Sequence, residues 1–240
     1  REGAQVEAEG GGLRTVEEIV QGAEAVVRLG NAENGWGTGC HPSTALCLEF
    51  LSHHLEPGQV VMDYGTGSGV LAIAACGLGA SKVIGVDIDA EVLVTAGHNL
   101  DLNGWGDRAE LLHVREVQVE GLVPKAEVIL ANILVGQLIR PSMVAALCTN
   151  LADGGLLCLS GVRPEEVPTL QRAYDGWVEW EDTLYKEARP GPHGEDYWGT
   201  WARVVGRKIS SGTGDEQGTS AAAKKSRAQF LEELSELAVQ

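Results

Sequence analysis

From Gln59 onward the apolar and polar positions come in blocks rather than singly. "QVVMDY" (59–64), "KVIGVDI" (82–88) and "AEVILAN" (126–132) are near-continuous apolar runs of strand length, the pattern of strands covered on both faces. Between them, "GVLAIAACGLG" (69–79) and Ala90–Asn103 carry apolar residues at helical spacing. The pattern predicts a further helix over Leu134–Leu151, entered through Pro141, and a strand at "GGLLCLSG" (154–161). Strands alternating with helices of this length predict a doubly wound, mostly parallel α/β sheet, because right-handed crossovers set helices on both faces. After Asp175 the pattern changes. "WVEWEDTLYKEA" (177–188) and "YWGTWARVVGR" (197–207), joined by the turn-rich "RPGPHGED", read as an antiparallel hairpin that closes the sheet.

The two ends read differently. Residues 1–12, rich in Gly, Ala and Glu, are expected to be disordered. Val16, Ile19, Val20 and Ala23 predict a short helix from Leu13, followed by an extended "AVVRL" (25–29). Residues 208–222 form a Gly/Ser/Thr-rich linker, and Phe230, Leu231, Leu234, Leu237 and Ala238 lie at the spacing of a terminal amphipathic helix. The division is therefore an extension over 1–34, a main unit over 35–208 and a linker with a short helix over 209–240.

Composition narrows the function. A chain of 240 residues, 44% hydrophobic, suits one sizeable α/β core. No stretch approaches the roughly 18 apolar residues of a membrane helix, so no membrane partner is expected. Five cysteines, Cys40, Cys47, Cys76, Cys148 and Cys158, are odd in number and never form a C-x-x-C; they read as reduced core residues of a reducing compartment, not as a disulfide framework or a metal site. A net charge of -16 opposes direct nucleic-acid binding and favours basic partners.

The candidate chemistry starts at "DYGTGSG" (63–69). Gly65, Gly67 and Gly69 let the chain turn off a strand and let a ligand approach the main chain at a helix N-terminus. Asp87 closes the next strand 22 positions beyond Gly65, where a doubly wound sheet sets a carboxylate on the ribose hydroxyls of an adenosine. Gly67-x-Gly69-x-x-Ala72 also satisfies the dinucleotide fingerprint, which keeps an NAD-dependent oxidoreductase as an alternative. Asp63 weighs against it: a carboxylate at the loop mouth opposes a pyrophosphate and suits the sulfonium of S-adenosylmethionine. Capping of the turn is the other reading of Asp63.

Two further segments, "GWGTGCHPSTALCLEFL" (35–51) and "ANILVGQL" (131–138), join "DYGTGSG" and "GVDIDAEVL" (85–93) in order. Over about Gly35 to Lys208 this combination strongly resembles the ribosomal protein methyltransferase A family, lysine methyltransferases that act on a large-subunit ribosomal protein. The resemblance implies a class I methyltransferase fold, Rossmann-like with seven strands, and S-adenosyl-L-methionine as cofactor. It assigns cofactor contacts to Thr44, Gly65, Asp87 and Asn132, while the net charge of -16 favours a basic, lysine-rich protein as substrate. Asn132, ending a strand at the cleft, is also the candidate catalytic residue, since amino-directed methyltransferases set an Asn or Asp against the nucleophile there; a plain strand-ending turn is the other reading. Thr44, near a helix start, either caps that helix or reaches the methionine end of the cofactor. His41, held extended by Pro42, is expected to be a structural lid residue. The family carries a substrate-recognition domain ahead of these motifs, so residues 1–34 are read as part of a longer N-terminal region. A lysine methyltransferase of another protein, such as the electron-transfer flavoprotein beta subunit, and a non-catalytic S-adenosylmethionine-binding module remain as alternatives.

Overall fold

The computed structural model describes residues 5–7, 13–15, 27–30, 41–117, 123–188 and 199–210. Its centre is a seven-stranded sheet built from β3 (Val60–Tyr64), β4 (Lys82–Asp87), β5 (Ala109–His113), β6 (Ala126–Asn132), β7 (Leu151–Val162), β8 (Val178–Glu187) and β9 (Thr200–Lys208). The order across it is β5-β4-β3-β6-β7-β9-β8. Strands β3 to β7 run parallel. β9 pairs antiparallel with both β7 and β8, so the closing hairpin inserts its second strand inside its first.

Side chains alternate across each strand, and that splits the core in two. Met62, Ile84, Ile129, Ala131, Leu157 and Leu159 face one layer. It is covered by α4 (Val135–Leu138), α5 (Pro141–Asn150) and α6 (Val167–Ala173). Val61, Val83, Val128, Leu130 and Cys158 face the other, beneath α1 (Pro42–His54), α2 (Val70–Gly77) and α3 (Ala90–Leu102). Helices on both faces of a mostly parallel sheet make the expected doubly wound fold. The cleft at the carboxyl ends of β3, β4 and β6 is where such sheets gather ligands.

Several expectations change. The helix over Leu134–Leu151 is two helices, because Arg140 precedes Pro141 and is held extended at φ -67, ψ 135, the conformation that a following proline favours. β5 and α6 were not foreseen. Leu13–Thr15 is a strand (β2) rather than the start of a helix, and it pairs antiparallel with β1 (Gln5–Glu7) inside the segment expected to be disordered. Val16–Ala23, the hairpin turn at 189–196 and the terminal helix around Phe230–Ala238 lie outside the described residues. Among the described residues, no helix is long and apolar enough to cross a membrane and no cluster could hold a metal ion.

Candidate active site

The glycine loop leaves β3 and bends back over β4. Gly65, Gly67 and Gly69 have φ of 80, 53 and 80°, left-handed values that other residues adopt at a cost. A Cβ on Gly65 would also lie 2.5 Å from Ile133 Cγ2. The amides of Gly65 and Thr66 both donate to the Val86 carbonyl, at 2.7 and 2.9 Å. Gly67 N–H donates to Asp87 Oδ2 at 3.0 Å and Asp89 N–H to Asp87 Oδ1 at 3.1 Å. The Asp87 carboxylate thus sits half-buried at the end of β4 with one amide on each oxygen, and each oxygen keeps a lone pair for a further donor.

Asp63 has a different position. It is buried, and its Oδ2 accepts from Thr66 Oγ1 at 2.8 Å and from Ala72 N–H at 3.1 Å. Ala72 lies in the first turn of α2, so Asp63 clamps the loop and satisfies one of the helix's open amides. Burial pushes its carboxyl up to about 6, against the pull of the Thr66 and Ala72 bonds, and the Asp87 charge adds to the rise. Asp63 therefore meets the capping description directly, and toward a ligand its charge would act through space.

On the other side of the cleft Thr44, 2% exposed, accepts from Asn132 Nδ2 at 3.1 Å. The bond joins α1 to the end of β6 and leaves the Asn132 carbonyl oxygen as an acceptor. Thr44 is not the cap of α1. His41 is: its Nδ1 accepts from Ser43 N–H at 3.3 Å and lies 2.7 Å from Ser43 Oγ. The His41 ring meets Trp201 edge-on at 4.6 Å, and the Arg163 guanidinium lies 3.8 Å above the Trp201 ring. Burial first, then the Arg163 charge, lower the His41 pKa and keep it the neutral acceptor that a cap requires.

Beside Asn132 a cleft of about 440 Å³ opens, lined by Leu134, Val135, Gly161, Arg163, Glu166 and Trp201. It begins where β6 and β7 end: Asn132 pairs with Ser160, and a Cβ on Gly161 would lie 2.6 Å from the Ile133 carbonyl oxygen. The structure thus gathers Gly65, Gly67, Gly69 and Asp87 on the β3–β4 side, and Thr44 with Asn132 between them and this cleft. Sequence reasoning missed Thr66, Asn99, Ser160, Arg163 and Trp201. Of these only Asn99 left a readable trace, through Asn103 four positions on at the C-cap of the same helix.

Comparison with known proteins agrees with this geometry. The family model described as ribosomal protein L11 methyltransferase (PrmA) matches residues 15–188. A protein named ribosomal protein L11 methyltransferase from Aeromonas hydrophila is 37% identical over 174 residues, 72% of this chain and 54% of that one. Its namesake from Escherichia coli is 39% identical over 174 residues, 72% and 53% respectively. A crystal structure of a ribosomal protein L11 methylase from Lactobacillus delbrueckii subsp. bulgaricus superposes with a TM-score of 0.59 at 26% identity, covering 76% of this chain and 85% of that one. The chain spans about half the length of the curated relatives it matches. Its motifs, its sheet order and these matches make the chain a member of the ribosomal protein L11 methyltransferase (PrmA) family.

Proposed function

We propose that this chain binds S-adenosyl-L-methionine over the glycine loop and methylates a lysine amine of a large-subunit ribosomal protein that enters through the cleft beside Trp201. The observation that carries the reading is the Thr44–Asn132 bond, which fixes an acceptor oxygen between the loop and that cleft. The donor set fits the cofactor. Asp87 retains acceptor capacity for two ribose hydroxyls, and Gly65 to Gly69 bare the main chain. The family assignment argues against an NAD-dependent oxidoreductase.

When bound, the cofactor supplies an electrophilic methyl group on a sulfonium. The chain's part is to deliver a neutral amine in line with it. Lysine has a pKa near 10.4, so at neutral pH about one in 10³ is uncharged, equivalent to roughly 4 kcal/mol. Burial beside a cation lowers that pKa, and the Asn132 carbonyl accepts one N–H and so orients the lone pair, which leaves no need for a dedicated base. Thr44 holds Asn132, and His41 holds the turn that carries Thr44.

We assign the main unit to residues 35–208, with a basic, lysine-rich protein as partner and neither nucleic acid nor membrane. Cys47, Cys76, Cys148 and Cys158 are free buried thiols, which supports a reducing compartment, the cytoplasm or an organelle matrix. The test is transfer of labelled methyl groups from S-adenosylmethionine into a whole-cell protein extract. Label on lysine of a large-subunit ribosomal protein is the expected result. Label on a different protein would select another lysine methyltransferase activity, and tight cofactor binding with no label would leave a binding module.

A further inference from the structure

Asn99 lies in α3, 4% exposed, and its amide is divided between two distant parts of the chain. Its Nδ2 donates to the Ser68 carbonyl at 2.8 Å, inside the glycine loop, and its Oδ1 accepts from Gly30 N–H at 2.9 Å. One helical turn on, Asn103 grips the same incoming segment: its Oδ1 accepts from Arg28 N–H at 2.8 Å and its Nδ2 donates to the Arg28 carbonyl at 2.6 Å. Val27 and Leu29 pack on the core layer beneath α1, α2 and α3.

The consequence for the loop follows from its own bonds. Holding the Ser68 carbonyl orients the peptide to Gly69, whose N–H closes the turn on the Thr66 carbonyl at 2.8 Å. Within that turn lies Gly67, whose N–H reaches Asp87. If Val27–Gly30 leaves α3, the Asn99 oxygen loses its partner in a buried place, where an unpaired acceptor is costly and its amide is free to turn.

We propose that Asn99 is a positioning residue for the cofactor loop, and that through it the Val27–Gly30 segment forms part of the cofactor-binding unit. The proposal rests on the reading that the loop holds S-adenosylmethionine. Linkage makes it reciprocal: a ligand that orders the loop also secures Val27–Gly30 on α3.

The test uses the full chain, with affinity for S-adenosylmethionine measured by calorimetry and amide exchange followed at Arg28 and Gly30. Asn103→Ala loosens Arg28 and gives up the bond from Asn103 Nδ2 to the Asn99 carbonyl at 2.7 Å, with no bond to the loop itself, and it should weaken binding about threefold; Asn99→Ala should weaken it about tenfold, the range of one or two lost hydrogen bonds. The double variant should bind within about twofold of Asn99→Ala alone, since both act through one contact. At saturating cofactor, Asn103→Ala should turn over within about twofold of the parent, as expected when only binding is affected. In the parent, cofactor should slow exchange at Arg28 and Gly30. Unchanged affinity in Asn103→Ala with faster exchange at Arg28, or strictly additive losses, would overturn the proposal. Should Asn99→Ala fail to fold, Asn103→Ala and the exchange data still decide it. A parent that binds no S-adenosylmethionine overturns the cofactor reading along with it, whereas a parent that binds it and shows no response at Gly30 overturns the linkage alone.

Discussion

Asn132, Asp87 and Asp63 are polar groups in three different settings, and on the proposed reading substitution should separate their roles. Asn132→Ala should lower the single-turnover rate at saturating cofactor by about 10² or more, the range for lost orientation, with a smaller change in cofactor affinity; transfer at the parent rate would make Asn132 a turn former only. Asp87→Ala should weaken cofactor binding by about 1–3 kcal/mol, because two charge-assisted bonds to the ribose are lost, and calorimetry reads this directly. Asp63 should act on stability. Its folded pKa is raised to about 6 by burial, so between about pH 4 and 6 the folded state binds more protons than the unfolded chain. Stability from this group is therefore present at low pH and lost as pH rises through that window, by about 3 kcal/mol. Asp63→Asn keeps an oxygen for Thr66 and Ala72 but does not titrate, so urea midpoints of parent and variant should converge toward pH 4 and diverge above pH 6. A constant difference across that range would refute the assignment. Thr44, Asp87, Asn132 and the glycines could be singled out as candidates because each sits in a short motif whose chemistry is local. The clamp that Asp63 makes on Ala72, nine positions on, exists only once the loop has folded back.

At the scale of elements, the strands buried on both faces were the most legible, since a near-continuous apolar run within a strand of five to seven residues has few other uses. β5 was hidden because it is an edge strand with a mixed burial pattern, and Ala109–His113 carries neither a continuous apolar run nor a clean alternation. The break between α4 and α5 was written in Pro141, whose ring acts on the residue before it rather than on the apolar spacing that suggested one helix. The loop between β3 and α2 makes the sharpest demand on sequence. Gly65→Ala would combine a φ of 80° with a Cβ 2.5 Å from Ile133 Cγ2, and strain of this kind costs about 1–3 kcal/mol before the clash is counted. The variant should melt lower and bind cofactor less tightly. Adding Ile133→Ala removes the clashing methyl and should restore part of the cofactor affinity, leaving the backbone cost. No recovery in that pair would mean that the left-handed conformation, and not the close approach, accounts for the glycine.

Across the whole molecule the net charge of -16 bears on a different step from the site itself. The cleft beside Asn132 is lined by Arg163 and Arg140 as well as Glu166, so its local charge gives no special attraction for a lysine. On the proposed reading, the pull on a lysine-rich protein comes instead from the summed surface, and such long-range attraction raises encounter rates more than it strengthens the final contacts. Ions screen it over about 10 Å at 0.1 M. It follows that kcat/KM for an intact basic protein should fall as salt rises, while kcat at saturation holds steady, because the bound amine meets the same Asn132 whatever the ionic strength. A short neutral peptide carrying one lysine has little charge for the field to act on, and its kcat/KM should hardly respond. Initial rates for both substrates over a salt series separate the effects. Equal salt dependence for protein and peptide would locate the ionic contribution in the cleft, at Glu166 and its neighbours, and would remove the whole-surface field from the account of how the substrate is drawn in.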